Sequence, residues 1–276
     1  MVNDILSKII ANKRKEVASR KEAVPIVELL ANYASQFERT VFPMRDMLQK
    51  SSSGIIAEFK RKSPSKGWIH PDARIEDILP AYDAGGASAA SVLTDEAFFG
   101  GNLDDISQAR EIVRMPLLRK DFIVDEYQIY ESRAAGADAI LLIASALSRQ
   151  ECLQFARKAC ELDMDVLLEI HSEDELNRLN PCVDMLGVNN RNLGTFDTSV
   201  QNSFRLMEKI KKEVGESAAA PLLVSESGLS DEKTIKELRS VGFRGFLIGE
   251  AFMKTASPGK ALNDLICRLS HEQNDC

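Results

Sequence analysis

Apolar and polar positions along the chain change their period once, near residue 51. Before that point Ile5, Ile9 and Ile10 recur at helical spacing with Lys and Arg between them, and Val27, Leu29 and Leu30 follow Pro25. Such spacing gathers apolar side chains on one face, so residues 1–50 are expected to be helical and to hold no strand. The punctuation Ser51-Ser52-Ser53-Gly54 then opens onto Ile55-Ile56-Ala57-Glu58-Phe59-Lys60, a mostly apolar run of strand length. From there one unit repeats, an apolar strand, a loop and an amphipathic helix, with strands expected near Ile55, Ala89, Pro116, Ala139, Val166, Met185, Leu222 and Gly245. Starts roughly 20 to 36 residues apart match βα units and are too close for separate domains. The pattern predicts an α/β chain, a (β/α)8 TIM barrel over 51–276 forming one catalytic domain, with a helical extension over 1–50 that packs on it near the mouth.

Helix boundaries support this reading. Ser148 precedes a helix expected over Arg149 to Leu162, Ser172 one over Glu173 to Leu179, and Ser230-Asp231-Glu232 opens one running to Val241. Each places a short oxygen side chain where unpaired N–H groups need acceptors. Gly136 and Gly242 supply helix-ending turns. The competing architecture, a doubly wound open sheet, calls for a Gly-rich turn after its first strand. That position reads Arg61-Lys62-Ser63-Pro64-Ser65-Lys66-Gly67, so the barrel is favoured.

Composition narrows the function. The 276 residues carry 35 Lys+Arg against 42 Asp+Glu, a net charge of −7, which argues against a general nucleic-acid binder. No apolar run approaches the roughly 20 residues that cross a bilayer, and the start MVNDILSKIIANKRKEVASR mixes acids and bases where a signal peptide would be apolar. A soluble cytoplasmic protein is expected, and the tail HEQNDC is expected to carry no further domain. Five cysteines without a CxxC pair support neither a disulfide framework nor a zinc site, and are expected to be small core hydrophobes. His70, His171 and His271 are too scattered for a histidine triad or a HExxH site.

Barrels carry their chemistry at the C-terminal ends of the strands, and here those ends are conspicuously charged. The first closes on Glu58-Phe59-Lys60, where the period of two puts both charges on one face, opposite Phe59. The third closes on Arg119-Lys120-Asp121, the fifth on Glu169, the sixth on Asn189-Asn190-Arg191, the seventh on Glu226-Ser227-Gly228 and the eighth on Gly249-Glu250. Lysines mixed with glutamates suit general acid–base work, because burial and neighbouring charge are expected to push a lysine down and a glutamate up toward neutral pH. Neither a metal nor a nucleophilic cysteine is required. The small turns Ser227-Gly228 and Gly249-Glu250 suggest a phosphate site built from backbone N–H groups.

At Glu58-Phe59-Lys60-Arg61-Lys62-Ser63-Pro64-Ser65-Lys66-Gly67 the chain resembles the indole-3-glycerol-phosphate synthase family of tryptophan biosynthesis. The likeness continues in order through Leu118-Arg119-Lys120-Asp121-Phe122-Ile123, Leu168-Glu169-Ile170-His171, Asn189-Asn190-Arg191-Asn192-Leu193, Ser225-Glu226-Ser227-Gly228 and Ile248-Gly249-Glu250-Ala251. The resemblance implies ring closure of 1-(2-carboxyphenylamino)-1-deoxyribulose 5-phosphate to indole-3-glycerol phosphate, with loss of carbon dioxide and water. It implies Lys120 as general acid, with Lys60 the competing candidate, Glu169 as general base, and Glu58 holding the cationic intermediate and the lysines in register. Asn189 and Arg191 would position the substrate hydroxyl and the anthranilate carboxylate, and Glu226 would fix the lysine cluster. The phosphate would rest on Ser227, Gly228, Gly249 and Glu250, with Lys60 nearby and the Glu250 side chain pointing outward.

No cofactor and no metal are expected, and the one partner expected is a small phosphorylated substrate, with neither nucleic acid nor membrane, acting on a monomer or weak homo-oligomer. Arg61, Lys62 and Lys66 read equally as a solvated loop face or as substrate contacts, and Trp68 as a lid anchor or an exposed aromatic. Phe98, Phe99 and Phe122 would wall the aromatic ring or pack in the core, and His171 is given no catalytic role. A phosphosugar isomerase on a related barrel explains fewer of the charges. A regulatory barrel that merely binds a phosphometabolite has no need of Lys60, Lys120 and Glu169 together.

Overall fold

The computed structural model describes residues 4–192, 197–214 and 220–270. Four helices come first, α1 (Asp4–Ala23), α2 (Ile26–Asn32), α3 (Ala34–Glu38) and α4 (Met44–Lys50). The first barrel strand, β1 (Ile55–Phe59), is followed by a small hairpin, β2 (Lys62–Ser63) and β3 (Gly67–Trp68), that the sequence pattern does not announce. The remaining barrel strands are β4 (Ala89–Leu93), β5 (Leu117–Lys120), β6 (Ala139–Ile143), β7 (Asp165–Ile170), β8 (Met185–Asn189), β9 (Leu222–Glu226) and β10 (Gly245–Ile248). All eight expected barrel strands are present and parallel, and the sheet closes in the order β1-β10-β9-β8-β7-β6-β5-β4, with β4 returning to β1.

Strands buried on both faces need apolar side chains on both, which is why these segments read as continuous apolar runs. Ile55, Ala57 and Phe59 face outward into the layer shared with the helices, whereas Ile56 faces inward with Leu118, Leu167, Met185, Val224 and Leu247. Met44 and Leu48 of α4 are fully buried in that inner cluster beside Ala89, Ala139 and Leu222, which begin or lie near the beginning of their strands. The extension therefore plugs the N-terminal end of the barrel, and the Arg45 N–H donates to Asp165 Oδ2 at 2.8 Å there. Its other end reaches the opposite side, where Ile5, Leu6 and Ile9 of α1 line the cavity at the mouth.

Local expectations held where side-chain chemistry decides them. The helix over Arg149–Glu161 starts with a reciprocal capping box between Ser148 and Glu151, and Gly136 and Gly242 end their helices at φ 95° and 121°. Asp231, rather than Ser230, caps Glu232–Val241 by accepting from the Thr234 N–H at 2.9 Å. The segment Glu173–Arg178 is a 3-10 helix where a longer helix to Leu179 was expected, and Ser172 makes no side-chain cap. Among the described cysteines only Cys152 is a buried core residue; Cys160 and Cys267 are exposed, Cys182 is half-buried, and Cys276 and His271 lie outside the described residues, as does Leu193.

Candidate active site

Alternation along the strands decides what reaches the mouth. In β1 the inward positions are Ile56 and Glu58, with Lys60 next; in β5 they are Leu118 and Lys120, in β7 Leu167 and Glu169, in β8 Met185, Gly187 and Asn189, and in β9 Leu222, Val224 and Glu226. A cavity of about 580 Å3 opens above them, lined by Glu58, Lys60, Lys120, Glu169, Asn189, Arg191, Ser227, Gly228, Gly249 and Glu250. Glu226 lies fully buried just beneath, against Lys120. All eleven positions singled out from the sequence thus converge on one place.

Lys120 is the hub. Its Nζ lies 2.7 Å from Glu226 Oε2, 3.6 Å from Glu169 Oε2 and 3.9 Å from Glu58 Oε2. Lys60 Nζ is 2.5 Å from the other oxygen of Glu58. Burial works against the Lys120 ammonium, but Glu226, Glu169 and Glu58 outweigh it and hold the amine protonated well above the ordinary lysine range. This corrects the expected downward push on a lysine: three carboxylates on one ammonium reverse the sign. Burial would likewise raise Glu58 and Glu169, yet Lys60 and Lys120 bring the first, and Lys120 and His171 the second, below the usual glutamate value. Glu226 goes the other way, pushed up to about 7 by burial and by Glu169 against the pull of Lys120.

Two glycines make room for these acids. A Cβ at Gly187 would stand 2.2 Å from Glu226 Oε1, and one at Gly249 would stand 2.3 Å from Glu58 Oε1. Ser227 and Gly228 both hold left-handed backbone, φ 68° and 77°, which turns the chain sharply at the end of β9. Asn190 fixes that turn from beside it, its Nδ2 donating to Ser225 Oγ and to the Ser227 carbonyl at 3.0 Å each.

Arg191 spans the mouth, with Nη1 donating to Ser65 Oγ at 2.8 Å and Nη2 lying 3.3 Å from Glu250 Oε2. The Glu250 side chain therefore turns toward Arg191, contrary to the outward orientation expected, because the guanidinium is its nearest counter-charge. Phe99 and Phe122 line the cavity with ring centroids 6.0 Å apart, while Phe98 is not among the lining residues. Lys66 lines the cavity too. Arg61 is structural, gripping both oxygens of Asp105 at 2.6 and 3.0 Å, and Trp68 stays 58% exposed over Gly100. Among the described residues no group of three or more His, Cys, Asp or Glu side chains is arranged to hold a metal ion.

A profile described as indole-3-glycerol phosphate synthase matches residues 6–265. The chain belongs to the indole-3-glycerol phosphate synthase family. An indole-3-glycerol phosphate synthase of Bacteroides thetaiotaomicron is 54% identical over 269 residues, covering 96% of this chain and 98% of that protein. Those of Verminephrobacter eiseniae and Neisseria meningitidis serogroup B are each 43% identical, over 95% and 92% of the chain and 98% and 95% of their own lengths. Among solved structures, the tryptophan synthase A-subunit of Pyrococcus furiosus superimposes with a TM-score of 0.59 at 14% identity, covering 80% of this chain and 98% of that one. The tryptophan synthase alpha subunit of Legionella pneumophila gives 0.59 at 13% identity over 86% of this chain and 100% of its own. These two share the barrel fold.

Behind the cavity of this family member lies a second charged network that the strand pattern does not reveal. Lys13 of α1 is 1% exposed and lies 2.9 Å from Asp95 and 3.0 Å from Asp121. Asp121 also meets Arg119 at 2.9 Å and Thr94 at 2.7 Å, and despite its burial Arg119 and Lys13 hold it down at about 2. The sequence signal was present in Arg119-Lys120-Asp121, but alternation sends Arg119 outward, away from the cavity.

Proposed function

We propose that Lys120 is the general acid and Glu169 the general base of the family's reaction, with Glu58, Lys60, Asn189 and Glu226 completing the catalytic cluster. The reaction is ring closure of 1-(2-carboxyphenylamino)-1-deoxyribulose 5-phosphate with loss of carbon dioxide and water, and the chain is accordingly a carboxy-lyase of tryptophan biosynthesis. The observation that carries the assignment is the position of Lys120, protonated and within 3.9 Å of three carboxylates at the floor of the cavity. A protonated amine can give its proton to the substrate carbonyl oxygen as the aromatic carbon attacks. Loss of carbon dioxide restores the aromatic ring, and the remaining hydroxyl leaves as water on taking a second proton, given by Lys60 at the cavity wall. Glu169, ionised beside Lys120, takes the proton released in that dehydration. Glu58 balances the cationic intermediate and keeps Lys60 and Lys120 in register, and Glu226 anchors Lys120.

Arg191 supplies the fixed cation for the anthranilate carboxylate and Asn189 a hydrogen bond for the sugar hydroxyl. Ser227, Gly228, Gly249 and Glu250 offer backbone N–H groups for the phosphate, two of them at the start of the helix Glu250–Met253. The local cations and N–H groups attract a trianion that the net charge of −7 repels. The same reading takes the chain to act as a monomer or weak homo-oligomer in the cytoplasm, with residues 1–50 an extension of the catalytic domain 51–276.

Lys120→Met and Lys60→Met separate the two lysines. Lys120→Met is expected to lose about 10²- to 10⁴-fold in kcat with substrate affinity changed by less than about tenfold. A Lys120→Met enzyme above about a tenth of wild-type rate, alongside an inactive Lys60→Met, moves the acid to Lys60.

A further inference from the structure

We propose that His171 is a positioning residue for this reaction: its imidazolium holds Glu169 by one carboxylate oxygen and leaves the other to Lys120. The proposal rests on Glu169 being the base. His171 follows Glu169 by two residues, so the period of the strand carries both side chains to the same side. Its Nε2 lies 3.4 Å from Glu169 Oε1, while Lys120 Nζ lies 3.6 Å from Glu169 Oε2. The carboxylate is thereby clamped between two cations on opposite oxygens.

The backbone of His171 is fixed from two sides. Its N–H donates to Glu175 Oε2 at 2.7 Å, and its carbonyl accepts from Asn202 Nδ2 at 3.2 Å, on the helix Gln201–Val214. The ring's Nδ1 lies 3.6 Å from the same Glu175 oxygen. Both ring nitrogens are buried without a well-directed hydrogen bond, so a positive charge between Glu169 and Glu175 is what satisfies them.

Charge balance at the cavity floor calls for such a cation. Glu58, Glu169 and Glu226 are all buried, Lys60 is committed to Glu58 at 2.5 Å, and Lys120 stands nearer to Glu226 than to Glu169. Glu169 thus has only a shared ammonium on one side. The groups facing His171 are Glu169 from its own strand, Glu175 from the 3-10 helix and Glu226 from β9. The helix Gln201–Val214 adds neutral Asn202, held through its Oδ1 by Arg205 at 2.7 Å, and its Lys209 is paired with Glu173 at 3.0 Å. Burial opposes the imidazolium, but the three carboxylates outweigh it and keep the ring protonated above the ordinary histidine value. As pH rises through that raised value the charge is lost and Glu169 keeps only its share of Lys120. A variant lacking the charge at every pH makes Glu169 harder to ionise.

The test is the pH dependence of kcat in wild type and in His171→Gln, which retains an N–H toward Glu169 and removes the charge. The acid limb is expected to move to higher pH by roughly one pH unit, with kcat at pH 7, which lies above that limb, and KM each within about threefold of wild type. An unmoved acid limb overturns the proposal, as does a parallel fall of kcat, substrate affinity and thermal midpoint. A second measurement needs neither turnover nor that variant: NMR titration of the His171 ring in wild type and in Glu169→Gln. The ring is expected to titrate above the ordinary histidine value in wild type and lower in Glu169→Gln. A wild-type ring that titrates at or below that value, or one unaffected by Glu169→Gln, overturns the pairing. Retained activity in Glu169→Gln would instead remove Glu169 as the base, and the ring titration would still report on the pair.

Discussion

Glu250 sits at the turn read as part of the phosphate cradle, yet its carboxylate reaches Arg191, and both side chains remain partly exposed at 35% and 23%. Pairs this open to solvent contribute little, on the order of 1 kcal/mol or less. Glu250→Ser is therefore expected to leave kcat unchanged and to change KM by no more than about threefold, measured by steady-state kinetics. A collapse of kcat in that variant would place Glu250 in the chemistry and remove the backbone phosphate cradle. At this scale the sequence was legible wherever alternation alone chooses the face, as at Glu58, Lys60 and Lys120. It was silent where partners decide. The protonation of Lys120 depends on three carboxylates from three other strands, and the turn of Glu250 toward Arg191 depends on a guanidinium 59 residues away.

Among the elements, the first helix is joined to the barrel by a buried charge as well as by apolar contacts. Lys13→Met leaves Asp95 without its ammonium and Asp121 with Arg119 alone, so a loss of about 3 kcal/mol in unfolding free energy is expected. Chemical denaturation measures it, and a loss below about 0.5 kcal/mol would show the network to be dispensable. At the other end, burial pushes Asp165 up to about 6, against the N–H bond from Arg45. Its unfolded value is near 3.9, so between about pH 4 and 6 the native state binds more protons and this stabilising contribution is lost as pH rises. Asp165→Asn is expected to flatten that slope in melting temperature against pH; an unchanged slope would contradict the raised value. The strands were legible because both faces are apolar, and the helix starting after Ser148 because its capping box is local. The hairpin Lys62–Ser63 with Gly67–Trp68 was not, since its form comes from contacts of Lys62 with the Ala97 carbonyl and of Trp68 with Gly100.

For the molecule as a whole, the extension closes the barrel at one end through Met44 and Leu48 and borders the cavity at the other through Ile5, Leu6 and Ile9. Deleting residues 1–50 exposes both surfaces, so weaker substrate binding and poor solubility are expected. A soluble truncated chain with full activity would contradict this dual role. On the proposed mechanism one cluster of lysines and glutamates at the barrel mouth performs the ring closure without a metal or cofactor. The most direct test is single-turnover indole fluorescence on mixing chelator-treated enzyme with 1-(2-carboxyphenylamino)-1-deoxyribulose 5-phosphate, for wild type and Lys120→Met side by side. Wild type is expected to form product in full, and a folded, substrate-binding Lys120→Met to do so at a rate at least about 100-fold lower. Product formation that requires an added metal, or that proceeds at wild-type rate in Lys120→Met, would contradict this mechanism.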